Sequence, residues 1–383
     1  SCARILGSDG RIASSVNNYK YLSFNFGPTL HKWIEANDSA LNAAITQNGG
    51  RALAQCYNHM IMPLACARDK TTQTIWGIRD FEYRYGRKPR GIWLPETAVD
   101  TETLEVLAAN GIKFTILAQS QCAAVEEDGE WRDASGGFDV TLPYRCALSS
   151  GNTIDVMFYH GWLAHDIAFG KLLDNGDIFY DSLMSATGAM TDDHLLVVAT
   201  DGETYGHHHK FGEMALARLF ERISTDGKTK TPSIEEFLEA HPPKNFCRTK
   251  ENTSWSCAHG VERWRSDCGC RTGGKDSWNQ AWRAPLREAL DDLRDRIDEI
   301  YDRHISVMAD PWKLRDEAIE IYLFAPADDE TRYDFIRERF GDVDRAEADR
   351  VLSLIEAERM RMFMYTSCGW FFNDIGGVET QQV

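Results

Sequence analysis

The 383-residue chain lacks any run of about 18 apolar residues, which excludes a membrane-spanning helix of ordinary length. It shows no secretory signal, and it begins with Ser1 rather than a methionine. It is poor in positive charge: 42 Lys and Arg against 59 Asp and Glu leave a net charge of −17, so a general nucleic-acid or anionic-membrane binder is excluded by repulsion. A neutral or cationic substrate fits that balance. There is no internal repeat and no low-complexity tract. Without a secretory signal the ten cysteines read as free thiols or metal ligands rather than as a disulfide framework, and the expected compartment is the cytoplasm.

What is present is rich in aromatics. Eleven tryptophans in an acidic chain suit a sugar site, where flat rings stack on sugar faces, although any one of them is as readily explained by core packing. The first two-thirds alternate strand-like and helix-like segments. "YLSFNFG" (21–27) reads as a strand running into a helix opened by Pro28, and residues 71–86 read as an amphipathic helix closed by Gly86. Residues 89–96 form a buried strand pattern, 100–111 a helix capped by Asp100, and 113–118, 153–160 and 194–201 three further strands. That order implies a largely parallel sheet, closed or open. After about residue 275 the texture becomes helical, over 277–304, 312–323, 328–340 and 343–367. The expected organisation is α/β: a catalytic barrel over 1–274, with a Cys- and Trp-rich loop near 251–274, then an all-α domain over 275–383.

Parallel α/β sheets keep their chemistry at the carboxyl ends of strands. Two acids sit there: Glu96 after "GIWLP" and Asp201 after "LLVVAT". Glycoside hydrolysis needs such a pair, one carboxylate to attack or to activate water and one to protonate the leaving oxygen. Apolar neighbours such as Trp93 and Tyr205 would help set their pKa values apart.

Four stretches resemble the motifs of glycoside hydrolase family 57, which holds α-amylases, glucanotransferases and branching enzymes. They are "YNHMIMPLA" with His59, "GIWLPETA" with Glu96, "TDGETYGHH" with Asp201, and "MYTSCGWFF" with Trp370. The "FNFGPTL", "ENTSWSCAHGVERWRSDCGC" and "YTSCGWFF" stretches resemble a bacterial branch of that family more closely still. The resemblance implies a distorted seven-stranded (β/α) barrel and a helical domain that completes the active site. It also implies a retaining mechanism with Glu96 as nucleophile, Asp201 as acid/base and no cofactor in catalysis, on an α-glucan or oligosaccharide. The family's first motif, a His-x-Pro on the first barrel strand, has no counterpart here, and a barrel without that strand would be open. His208 and Gly369 also depart from the pattern, so substrate specificity does not carry over.

Around the acids, His59, Trp93, Glu203, His207, Trp255 and Trp370 are expected to contact substrate, with Trp282 in the seam between barrel and helices and His208 and His209 in the loop. Metal-dependent hydrolysis of sugars and non-catalytic carbohydrate binding remain as other readings of such a fold. Cys257, His259, Cys268 and Cys270 offer a zinc set. Their one-residue gaps strain chelation, so buried thiols packing a loop are the competing reading, and an iron–sulfur cluster sharing Cys368 is a third.

Overall fold

A computed structural model describes residues 2–188, 190–323 and 329–383. An N-terminal hairpin, β1 (Cys2–Leu6) and β2 (Ile12–Asn17), lies on the helix Gly212–Asp226, where Ala3, Ile5 and Ala217 are buried together. The main sheet holds β3 (Ala54–Gln55), β4 (Gly91–Trp93), β5 (Phe114–Ala118), β6 (Cys122–Glu127), β7 (Glu130–Asp133), β8 (Pro143–Ala147), β9 (Thr153–Tyr159) and β10 (Asn245–Thr249). Their order is β3-β4-β5-β9-β8-β10-β6-β7. The run β3-β4-β5-β9 is parallel, β8 and β10 are parallel to each other, and the remaining pairs are antiparallel.

Two expected strands are extended segments without a ladder. Residues 21–27 make a single parallel bridge, Phe24 to Ala52, beside β3. Residues 194–200 lie past the end of β9, where the His160 N–H donates to the Val197 carbonyl and the Leu195 N–H to that of Thr141. The apolar alternation is satisfied on both sides: Leu195, Val197 and Ala199 pack in one cluster, and Leu196 in another. The neighbouring β8 starts only at Pro143, so no strand runs beside 194–200 long enough to build a ladder. Tyr21 and Leu22 share the cluster of Leu196 and Val198, but among the described residues no backbone ladder joins the two segments.

The helices follow their sequence signals. Pro28 opens Pro28–Asn37, and Gly86 in the left-handed region (φ 65°) closes Ala67–Tyr85. Asp100 caps Thr101–Ala109 by accepting from the Thr103 N–H at 2.7 Å. Gly77, inside Ala67–Tyr85, lies so close to β3 that a Cβ there would fall 1.9 Å from the Gln55 carbonyl oxygen.

The C-terminal region is helical: Arg283–Ile305, Pro311–Glu317, Ile319–Leu323, Asp329–Phe340, Arg345–Phe363 and Ser367–Phe371. The stretch 312–323, expected as one helix, is interrupted at Ala318, and position 328 of the expected 328–340 helix lies outside the described residues. This region shares a core with the barrel, since Tyr57, Met60 and Trp76 are buried with Tyr301, Ile305, Leu314, Ile336, Ile355 and Met362. A buried ionic knot reinforces the seam. Asp69 accepts from Arg361 (2.8 Å) and Arg315 (3.0 Å), and both arginines also reach Glu358. Asp298 completes the knot at 2.6 Å from Arg361. Among the described residues no helix is long and apolar enough to cross a membrane.

Candidate active site

The carboxyl ends of β3, β4 and β9 open into one cleft of about 2720 Å³. Glu96 sits in the turn after β4. The Leu94–Pro95–Glu96–Thr97 turn closes with Thr97 N–H on Leu94 O, and both Glu96 (φ 56°) and Thr97 (φ 50°) are left-handed. Two consecutive non-glycine residues in that region cost about 1–3 kcal/mol each, a strain that characterises residues aimed at a site. A strip of the Cys-rich loop holds the turn in place. Thr253 and Val99 exchange backbone hydrogen bonds, and the Trp255 N–H donates to the Glu96 carbonyl at 3.1 Å.

The same strip reaches the Glu96 carboxylate. Trp255 Nε1 (2.8 Å) and Ser256 Oγ (2.6 Å) both donate to Oε2. Oε1 carries no hydrogen bond among the described residues.

Asp201 is exposed to the cleft, yet the walls packed around it exclude enough bulk water to raise its carboxyl to about 6; the negative charges of Glu96 and then Glu203 add to that. The two acids are thus close enough to act on each other. Tyr159, at the end of β9, has its phenol pushed up to about 12 by burial and by Asp201, so it remains a donor.

Trp93, Trp255 and Tyr159 form an aromatic wall, with ring centroids 5.1 Å apart for Trp93–Trp255 and 6.1 Å for Tyr159–Trp255, both edge to face. His59 (φ 54°) shares a hydrogen bond between Nδ1 and Ser367 Oγ, and burial lowers its pKa against the opposing charges of Glu96 and Glu203. Cys368, also at the cleft, has its thiol raised by burial and by Glu96. His207 and His208 both line the cleft, whereas His209 is drawn away to the Ala168 carbonyl at 2.9 Å.

Of the residues expected from the sequence, His59, Trp93, Glu96, Asp201, Glu203, His207 and Trp255 line this cleft. Trp370 does not. It is 1% exposed, donates to the Met364 carbonyl at 2.8 Å and stacks on Trp282, so its role is to pack the seam. His208, assigned to the loop, faces the cleft beside His207. Ser256 and Tyr159 were not expected. Tyr159 carried the signal of a strand-end position, and Ser256 that of adjacency to Trp255.

Cys257, His259, Cys268 and Cys270 converge: their ligand atoms all lie within 4.8 Å of one another. Cys368 is not in this group, since it belongs to the cleft.

Comparison with known proteins agrees with this architecture. A search of curated protein sequences finds no match. An exo-type maltose-forming amylase from Pyrococcus sp. ST04 superposes with a TM-score of 0.75 at 15% identity, over 93% of this chain and 64% of that one. A 4-alpha-glucanotransferase from Thermococcus litoralis gives 0.58 at 16% identity, over 94% and 51%. A branching enzyme of family GH57 from Thermococcus kodakaraensis, solved with glucose, gives 0.54 at 14% identity, over 86% and 75%. The chain therefore spans between half and two-thirds of the length of the first two. At these identities the likeness concerns the fold, an α/β barrel with an appended helical region. Residues 278–383 match the model of a domain of unknown function, DUF3536. Residues 29–250, more than half of the chain, match the glycosyl hydrolase family 57 model, and the chain belongs to that family.

Proposed function

We propose that the protein cleaves or transfers α-glycosidic bonds of a glucan or oligosaccharide, with retention of configuration. The observation that carries this reading is one cleft holding two carboxyl groups in different settings. Glu96 accepts two hydrogen bonds on one oxygen, and Asp201 is held at about 6 by burial and by Glu96. That difference supports Glu96 as nucleophile and Asp201 as general acid. Glu96 Oε1 attacks the anomeric carbon while Asp201 protonates the departing glycosidic oxygen. Asp201 then takes a proton from water or from a sugar hydroxyl, and that oxygen displaces Glu96.

The aromatic wall of Trp93, Trp255 and Tyr159 gives sugar rings a face to rest on. His59, Glu203 and His207 are the hydroxyl partners nearest the acids. Family membership supports the reaction class, and the amylase, glucanotransferase and branching-enzyme relatives support a glucan substrate.

The test is a screen of α-glucans and aryl α-glycosides with the full chain, beside Glu96→Ala and Asp201→Ala, with proton NMR of the first product formed. Turnover giving the α-anomer, lost in both variants, is expected. Activity unchanged in both, or a β-anomer as first product, refutes the mechanism, and binding without turnover would leave the fold a carbohydrate-binding one.

A further inference from the structure

We infer that Cys257, His259, Cys268 and Cys270 form a tetrahedral zinc site whose role is to hold Trp255 and Ser256 against Glu96. The distances fit such a site. Cys257 Sγ lies 4.0 Å from Cys268 Sγ and 3.9 Å from Cys270 Sγ, and Cys270 Sγ lies 3.5 Å from His259 Nδ1. With Zn–S about 2.3 Å and Zn–N about 2.0–2.1 Å, tetrahedral ligation separates two sulfurs by about 3.8 Å and a sulfur from a nitrogen by about 3.6 Å. At these separations the sulfurs are not disulfide-bonded, since that bond needs about 2.05 Å.

The one-residue spacings are made workable by the backbone. Gly269, between Cys268 and Cys270, has φ 85°, which swings both side chains toward one point. A turn over Cys257–Gly260, closed by Gly260 N–H on Cys257 O at 3.1 Å with Gly260 at φ 83°, folds His259 back over Cys257.

Charge supplies an independent observation. Arg263 and Arg283 are buried, and among the described residues neither has a carboxylate within 4.0 Å. Among the described residues, Arg263 Nε and Arg283 Nε and Nη1 have no hydrogen-bond partner. Cys268, Asp267 and Cys257 lie close enough to Arg283 for their negative charge to act on it. Three thiolates, one neutral imidazole and Zn²⁺ carry a net charge of −1, which together with the Asp267 carboxylate offsets the two buried guanidiniums. With three neutral thiols, Asp267 alone would face them.

The site is joined to the cleft by a short stretch of chain. Cys257 follows Ser256 directly, and Ser254 donates to the Gly260 carbonyl at 2.6 Å. Fixing Cys257 therefore fixes the two donors on Glu96 Oε2. The positioning role rests on the function proposed above for Glu96, whereas metal binding does not.

The experiment uses full-length protein freed of its affinity tag. Elemental analysis is expected to give one zinc per chain, lost in Cys268→Ser and kept in Cys368→Ser. In case Cys268→Ser does not fold, native protein stripped with a chelator is titrated with Co²⁺, and thiolate-to-metal charge-transfer bands saturating at one equivalent are expected. Hydrogen–deuterium exchange over 254–264 should rise on stripping and fall again on adding Zn²⁺. Metal-free native protein that binds no Co²⁺, a disulfide between two of the three cysteines, or iron with acid-labile sulfide overturns the site. Exchange unchanged by zinc overturns the positioning role. Zinc bound to a protein without glycosidase activity refutes the proposed function and leaves the metal site standing.

Discussion

The raised carboxyl of Asp201 sets a pH dependence that can be worked out in advance. A general acid must be protonated when substrate binds. At pH 7 a carboxyl at about 6 is protonated in roughly one molecule in eleven, whereas one at the ordinary aspartate value is protonated in roughly one in 1,600. The environment of Asp201 thus supplies roughly 150 times more active acid at neutral pH, within the 10²–10⁴-fold range typical of general acid catalysis. The sign follows: kcat/KM, which reports the free enzyme, should fall as pH rises through about 6. Glu203→Gln removes one of the two like charges that raise the Asp201 carboxyl. The descending limb should then move to lower pH, so the rate at pH 7 should drop by a larger factor than the rate well below the limb, where only the lost substrate contact of Glu203 is felt. The assay is kcat/KM on an aryl α-glycoside from pH 4 to 9 for both proteins. A limb that does not move in Glu203→Gln would show that Glu203 does not act on Asp201. A limb that persists in Asp201→Asn would show that another group titrates.

Four further outcomes are expected. Ser256→Ala and Trp255→Phe each remove one hydrogen bond to a charged carboxylate, worth about 1.5–3 kcal/mol, so kcat should fall roughly 10- to 100-fold in each while the thermal midpoint shifts little. Asp69→Ala takes from the buried Arg315 and Arg361 one of their two shared partners, leaving Glu358, and should cost about 3–5 kcal/mol, read as a lower urea midpoint. Burial raises the Asp69 carboxyl, but Arg361 and Arg315 outweigh it and hold the group at about 2. Its stabilisation is complete above about pH 4, the unfolded value, and is lost as pH falls through about 2, so urea midpoints measured between those limits should decline less steeply in Asp69→Asn. Gly77→Ala would set a methyl against the Gln55 carbonyl and push the helix off β3, so it should destabilise far more than an exposed helical Gly→Ala change, which normally stabilises.

Much of this was legible in the chain. The strands at β4, β5 and β9 and the helices opened by Pro28, capped by Asp100 or closed by Gly86 are local events, written in neighbouring residues. The segments at 21–27 and 194–200 were read as strands because their apolar pattern is that of a strand; whether a ladder forms depends on a partner hundreds of ångström of chain away, which the pattern does not encode. The β6–β7 hairpin turns on Asp128 (φ 53°) and Gly129 (φ 83°), an Asp-Gly signal that was available and passed over. In the site, Glu96 and Asp201 were found because strand ends and motif order point to them. Trp370 misled because its motif position says nothing about which way the ring faces. Ser256 and Tyr159 were invisible as site residues because they act through folded proximity. The convergence of Cys257, His259, Cys268 and Cys270 depended on one glycine dihedral, which spacing alone argued against.

His59 leans on Ser367, and Met60 pairs with Thr366, so the rim of the catalytic cleft is finished by the far end of the polypeptide. The two stretches matched by separate family models are therefore not interchangeable modules. A lineage that exchanged the helical part for another would inherit a Glu96 whose neighbouring histidine had lost its support. The pair is expected to travel through evolution as a single inheritance, with changes around His59 answered by changes around Ser367.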